Sequence, residues 1–96
     1  MTDRSADRVR AHVWISGRVQ GVSFRAYAED EAVYRRIAGW IRNGSDGQVE
    51  AVFEGSAAAV DVMIRWCHRG SPASSVTGVD VTWEPTQDER GFHIRG

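Results

Sequence analysis

Residues 10–25 read RAHVWISGRVQGVSFR. In the first part of this stretch, Val13 and Ile15 face one way and the residues between them face the other, which is the alternation of a half-buried strand. Gly17 and Gly21 then bound a short loop, and the apolar spacing beyond it is helical. The stretch therefore predicts a strand that runs through a glycine-bounded loop directly into a helix.

Turn and cap signals divide the rest of the chain. The Asn-Gly and Asp-Gly dipeptides at 43–44 and 46–47 favour a tight reversal. Ser56 is a good helix N-cap, and Gly70 is typical of a helix C-terminus. The predicted elements are a strand over 10–16, a helix from 24 to about 35, a strand over 39–43, a hairpin turn over 43–47, a strand over about 49–53, a helix from 56 to 70, a strand over 79–83 and a short final strand around Phe92 and Ile94.

This element order is β-α-β-β-α-β with a small extra C-terminal strand. If both crossovers are right-handed, the two helices lie on one face of an antiparallel sheet. We therefore expect the ferredoxin-like sandwich of the α+β class, a fold that hosts many unrelated functions. The 96 residues suffice for one domain. We predict a flexible tail over residues 1–8 and a single domain over 9–96.

Composition restricts the partners that the chain can bind. The net charge of −1 and pI of about 6.3 provide no basic field for nucleic acid or anionic lipid. No apolar run approaches the roughly 18 residues of a membrane span. Cys67 is the only cysteine, and the polar start of the chain does not resemble a signal peptide. We therefore expect a cytoplasmic protein that binds neither nucleic acid nor membrane.

The loop at residues 17–25 has the features of an anion site. Two glycines four residues apart permit a curl whose backbone N–H groups point inward, and the N-terminus of the following helix reinforces it. Arg25, in the first helical turn, can supply bidentate hydrogen bonds to phosphate oxygens. The residues alone leave a second interpretation open, in which the loop is an ordinary connection and both Arg18 and Arg25 are solvated.

Asn43 lies where a predicted strand leaves the sheet for the hairpin turn. A side-chain amide at this point can form the turn, or it can orient a water molecule because it donates and accepts hydrogen bonds at once. The residue pattern alone leaves both roles open.

Two stretches resemble signatures of the acylphosphatase family: Gly17–Arg25 resembles the first, and Gly39–Glu50 the second. The resemblance extends from about Arg10 to Arg95. It implies a monomeric hydrolase, an acylphosphate phosphohydrolase, that needs no metal or other cofactor and splits small acyl phosphates into carboxylate and phosphate. It also implies that Arg25 binds the phosphate and that Asn43 positions the attacking water. The implied phosphate-binding loop consists of Gly17, Arg18, Val19, Gln20, Gly21, Val22 and Ser23.

The chain departs from the family pattern at the end of the first helix. Arg35-Arg36 stands where family members usually carry a Leu-Gly pair. If Arg36 must adopt a left-handed φ, the loss of glycine should cost about 1 kcal/mol. This departure concerns the local geometry and leaves the chemistry unaffected.

The histidines and the cysteine predict no second site. His12, His68 and His93 lack metal-ligand spacing, although His12 and His93 could meet across the sheet. Cys67 lies on the apolar stripe of the second helix, where we expect an inert core thiol. The absence of lysine excludes every lysine-based mechanism.

Two other functions are consistent with the same fold. One is a non-catalytic module that binds a small anion or a partner. The other is the acylphosphatase-like domain of a larger carbamoyl-transfer enzyme, although the initial Met1 and the chain length favour a free-standing enzyme. The sequence leaves the physiological acyl phosphate open.

Overall fold

The computed structural model describes residues 7–96. Its elements are β1 (Arg8–Arg18), α1 (Phe24–Tyr34), β2 (Ala38–Asn43), β3 (Val49–Ser56), α2 (Ala57–Arg69), β4 (Ser75–Glu84) and β5 (Phe92–Arg95). Residues 1–6 of the predicted tail lie outside the described part. Arg8, which the prediction assigns to the tail, is already paired with Ser56 as the first residue of β1.

The five strands form one sheet in the order β4-β1-β3-β2-β5. The predicted α+β, ferredoxin-like fold is confirmed, but the prediction of an antiparallel sheet is wrong at one edge. β5 pairs parallel with β2, so the sheet is mixed. The reason is the chain reversal after β4: β4 runs opposite to β2, and a strand that follows a reversal of β4 must run alongside β2 in the same direction.

The two helices and one face of the sheet enclose a single hydrophobic core. α1 contributes Phe24, Ala28 and Ala32, whereas α2 contributes Val60, Met63 and Cys67. The hydroxyl of Ser56 accepts a hydrogen bond from the Ala59 N–H at 3.1 Å, which is the predicted N-cap. Within residues 7–96, neither helix has the length and apolar character that crossing a bilayer requires.

α1 is followed by a residue with left-handed backbone, the conformation for which the sequence has arginine where the family usually has glycine. Arg36 has φ 58°. Its N–H donates to the Val33 carbonyl, and the Ile37 N–H donates to the Ala32 carbonyl at 2.8 Å. These two bonds are those of a Schellman motif, with the buried Ile37 as its apolar contact. An arginine thus occupies a position that favours glycine.

An ionic network lies on the outer face of the sheet, opposite the helices. Glu54 is fully buried and accepts hydrogen bonds from Arg10 at 3.2 Å and from the Gln87 N–H at 3.0 Å. Arg10 also donates to Glu84 at 2.9 Å and to Glu89 at 3.0 Å. The network therefore anchors the segment over 85–91 that leads from β4 to β5.

Three strands end at the same end of the sheet. β1 and β2 are both antiparallel to β3, so they run in the same direction, and β5 runs parallel to β2. The C-terminal ends of β1, β2 and β5 therefore lie together. The loop that follows β1 and the start of α1 meet them there, and this arrangement forms a cleft.

Candidate active site

The cleft at this end of the sheet has a volume of about 380 Å³. This is near the lower limit for small-molecule sites, which suits a ligand with few atoms. Residues from the loop, from the first turn of α1, from β2 and from β5 line it. They are Val19, Gly21, Ser23, Phe24, Arg25, Ala26, Asn43 and Ile94. The predicted Arg25 and Asn43 therefore share one cavity with part of the predicted loop.

The loop has the curled backbone that its two glycines predict. Gly17 has φ 118° and Gly21 has φ 74°. At Gly17 a side chain is also excluded by space, because its Cβ would lie 2.2 Å from the carbonyl oxygen of Ser75. Ser23 has a left-handed φ of 61° as well, which is strained for a residue other than glycine. Such strain is typical of functional sites.

The backbone N–H groups around the cleft lack partners. Among residues 7–96, no carbonyl or side chain accepts a hydrogen bond from the N–H groups of residues 19–23. The N–H groups of residues 24–26 begin α1 and have no acceptor within the helix. Ser23, the N-cap, makes no side-chain capping bond to them. Unpaired N–H groups and the positive end of a helix dipole together form a site for an anion.

Arg25 is the cation of the cleft. Its Nη1 donates a long hydrogen bond of 3.4 Å to the backbone carbonyl of Arg95. Within the described part of the chain, no carboxylate lies at ion-pair distance from it. Its guanidinium therefore keeps donors available for an anionic ligand.

Asn43 is the last residue of β2, where it pairs with Val49 of β3. Its side-chain oxygen Oδ1 is buried and accepts no hydrogen bond from residues 7–96. A buried polar atom without a partner is rare in native proteins and calls for an explanation. Because Asn43 also lines the cleft, this unpartnered acceptor belongs to a cleft residue.

The other predicted loop residues surround the cleft without lining it. Gly17 and Arg18 are the last residues of β1 and pair with β4. The side chain of Gln20 turns away to bond the hairpin turn. The Val22 carbonyl accepts a hydrogen bond from the Ser71 hydroxyl at 2.9 Å, which fastens the loop to the residues after α2.

Three cleft residues were not predicted from the sequence. Phe24 and Ala26 flank Arg25 in the first turn of α1, so their proximity to it in sequence was the available signal. Ile94 enters from β5, and it does so only because β5 pairs parallel with β2. No sequence pattern indicated that pairing.

His12 belongs to the outer face of the sheet. Its ring nitrogens lie 2.6 Å from Glu50 and 2.8 Å from Glu84, and its ring stacks on Trp14 at 4.1 Å. The possible meeting of His12 with His93 does not occur, because β3 and β2 lie between their strands. In residues 7–96 no three His, Cys, Asp or Glu side chains are grouped as metal ligands.

Several groups that do not line the cleft have pKa values shifted by burial and hydrogen bonds. Burial would raise the pKa of Glu50 and of Glu54, but hydrogen bonds from the partners of each carboxylate hold both pKa values below their ordinary value. The hydrogen bonds from His12 and Arg10 lower the pKa of Glu84. Burial raises the pKa of the Cys67 thiol, so it stays protonated and unreactive.

Comparison with known proteins shows the family of the chain. The acylphosphatase family model matches residues 11–94. An acylphosphatase of a Synechococcus strain is 56% identical over 90 residues, which cover 94% of this chain and 96% of the relative. The crystal structure of the Bacillus subtilis acylphosphatase has a TM-score of 0.88 at 36% identity, covering 92% of this chain and 99% of its own. The Coxiella burnetii acylphosphatase has a TM-score of 0.90 at 32% identity, covering 99% of this chain and 100% of its own. The chain therefore belongs to the acylphosphatase family, the hydrolases of acyl phosphates.

Proposed function

We propose that the cleft is the active site and that it hydrolyses small acyl phosphates without a metal or other cofactor. In this proposal, backbone N–H groups of residues 17–23 and the guanidinium of Arg25 bind the phosphoryl oxygens. Asn43 orients the attacking water. The observation that carries the proposal is that one cleft is lined by loop residues with unpaired N–H groups, by an arginine without a carboxylate partner in residues 7–96 and by an asparagine whose oxygen has no partner there.

The chemistry requires little beyond positioning and charge stabilisation. Water attacks phosphorus, the bond between phosphorus and the acyl oxygen breaks, and a carboxylate leaves with the electron pair of that bond. Phosphoryl transfer proceeds through a loose transition state whose charge is spread over the equatorial oxygens. The N–H groups and Arg25 are placed to stabilise that charge. Because a carboxylate is a good leaving group, the reaction needs neither a strong general acid nor a metal.

Asn43 can orient the water through its unpartnered oxygen. Oδ1 would accept a hydrogen bond from the water, and the water would direct a lone pair at phosphorus in line with the departing carboxylate. At the side of the cleft formed by β5, Ile94 offers an apolar surface that is 40% exposed. We place the acyl group of the substrate against it.

The test is phosphate release from benzoyl phosphate in the presence of a chelator. We expect turnover that the chelator does not change, and a loss of about 10²–10³-fold in kcat in Arg25→Ala, as when a key oxyanion donor is removed. Arg65→Ala is the matched control, since Arg65 is an exposed arginine of α2 whose one ion pair within residues 7–96 is with Asp61. Equal turnover in Arg25→Ala and the wild type would refute the assignment of Arg25, and a chelator-sensitive rate would refute metal independence. A chain without turnover that still bound phosphate would be the anion-binding module.

We further propose a cytoplasmic monomer with one domain, which extends the predicted range 9–96 by Arg8, the first residue of β1. The family resemblance favours a monomer. Light scattering after size exclusion should give the mass of a single chain, which is 10.7 kDa. A dimeric mass would contradict the monomer.

A further inference from the structure

We propose that Gln20 and Gln48 are positioning residues for the hydrolysis. They fasten the phosphate-binding loop (residues 17–23) to the hairpin turn (residues 43–48) and so fix the distance between the bound phosphoryl group and the water at Asn43. This inference rests on the roles proposed above for Arg25 and Asn43.

The first link is the side-chain amide of Gln20. Its Nε2 donates to the carbonyl of Gly44 at 2.8 Å and to the carbonyl of Gln48 at 2.9 Å. An amide nitrogen carries two hydrogens, so both are used. The Gln48 carbonyl also accepts the N–H of Gly44 at 2.7 Å, which closes the turn. Gln20 thus binds both sides of the turn at its mouth.

The second link runs in the opposite direction. The Nε2 of Gln48 donates to the hydroxyl of Ser16 at 2.6 Å. Ser16 lies in β1, directly before the phosphate-binding loop begins at Gly17. The turn is therefore bonded to the polypeptide on both sides of Gly17, once through Gln20 and once through Ser16.

The position of these links in the chain explains their effect. Val19 and Gly21, the neighbours of Gln20, line the cleft, while its own side chain points away from it to the turn. Gly44, which it binds, directly follows Asn43. Without the links, the loop and Asn43 are joined through β3, which lies between β1 and β2, and through the packing of α1 against β2. The rate of in-line attack depends on the relative position of the loop and Asn43, since a displacement of about 1 Å can lower a rate by roughly 10²-fold.

A double-mutant cycle distinguishes positioning from a purely structural role. The four enzymes are the wild type, Gln20→Leu, Asn43→Ala and the double variant, each assayed for kcat with benzoyl phosphate. Leucine has a similar volume but donates no hydrogen bond. We expect Gln20→Leu to lower kcat by about 10- to 100-fold in the wild type. In the Asn43→Ala background we expect it to lower kcat by no more than about twofold, because the group that it positions is absent.

The possible outcomes separate this inference from the proposed function. If Asn43→Ala is impaired and Gln20→Leu lowers kcat by the same factor in both backgrounds, Gln20 does not act through Asn43 and the inference is overturned. If Asn43→Ala has the kcat of the wild type, the water-orienting role is overturned and the inference fails with it. Full activity in Gln20→Leu would contradict the inference alone.

Two further variants complete the test. The first is a control for a loss of stability alone, and the second tests the link through Gln48. Ser56→Ala removes a hydrogen bond at the opposite end of β3 and should destabilise the fold while leaving kcat unchanged. Ser16→Ala removes only the second link and keeps the first. We expect it to lower kcat by about two- to fivefold in the wild type and not at all in the Asn43→Ala background. An unchanged kcat in Ser16→Ala would overturn the role of Gln48.

Discussion

Two arginines of this protein occupy opposite kinds of environment. Arg10 is only 5% exposed and donates to the carboxylates of Glu54, Glu84 and Glu89. Arg25 makes one long bond to a backbone carbonyl. The first holds together the outer face of the sheet, and the second lines the cleft. In residues 7–96 the buried guanidinium of the outer face is paired with carboxylates, whereas the guanidinium in the cleft has no carboxylate partner.

The backbone shows the same contrast. The ladders of β1 with its two neighbours pair residue after residue from Arg8 to Arg18, whereas the N–H groups of residues 19–23 have no acceptor within residues 7–96. Unpaired groups and left-handed backbone lower the stability of a fold. Val19, Gly21 and Ser23 of this run line the cleft, so residues with unpaired N–H groups surround it.

Exchanging each arginine for lysine should produce opposite phenotypes. Arg25→Lys should lose about 10²-fold in kcat and keep its stability, because a point charge cannot replace the bidentate guanidinium fork. Arg10→Lys should keep most of its kcat and lose about 3 kcal/mol in the free energy of unfolding, since one ammonium nitrogen cannot occupy both the Nε position that meets Glu84 and the Nη1 position that meets Glu54 and Glu89. Urea denaturation and benzoyl phosphate assays on both variants measure the two effects. The comparison fails if the two variants lose the same property.

Acid should weaken the ionic network and the neighbouring pairs of Glu50 with His12 and Arg42. The folded pKa values of Glu50, Glu54 and Glu84 lie below the ordinary value of 4.5, so the unfolded chain binds protons first as pH falls. Their contribution to stability is therefore complete well above pH 4.5 and disappears as pH falls through the lower folded values. Urea unfolding across this range should show a steep loss in the wild type.

The variant Glu54→Gln isolates the buried member of that network. It should be less stable by about 3 kcal/mol at neutral pH, because it removes the charge that faces Arg10. It should also show a shallower loss of stability in acid, since one depressed carboxyl pKa is gone. An acid dependence as steep as that of the wild type would show that Glu54 does not contribute to it.

A smaller effect is expected at the end of α1. Arg36→Gly should raise the free energy of unfolding by up to about 1 kcal/mol, because glycine adopts a left-handed φ without steric strain. Arg35→Gly is the control, since Arg35 has a φ of −92° and binds Glu31. Its replacement should destabilise the chain. An unfolding temperature that rises in Arg36→Gly and falls in Arg35→Gly would confirm the strain at Arg36. A lower unfolding temperature in Arg36→Gly would contradict it.

The sequence allowed prediction of features that depend on neighbouring residues. The Ser56 cap, the curl at Gly17 and Gly21, and the turn after Asn43 all follow from local backbone preferences. The direction of β5 and the entry of Ile94 into the cleft depend on pairing between strands about 50 residues apart, which no local pattern encodes. β4 begins at Ser75, before the predicted start at residue 79, for the same reason. Ser75 and Val76 pair with the end of β1 beyond a bulge.

Inorganic phosphate provides the most direct test of the cleft, because it is both product and analogue of the transferred group. In an NMR titration of the backbone amides, we predict shifts confined to residues 17–26 and to the Asn43 side chain, with little change in the outer-face network. The same titration on Arg25→Ala should need much more phosphate to produce them. Shifts centred elsewhere, such as the groove that Arg35 of α1 and Arg65 and Trp66 of α2 line, would contradict the assignment of the cleft as the phosphate site.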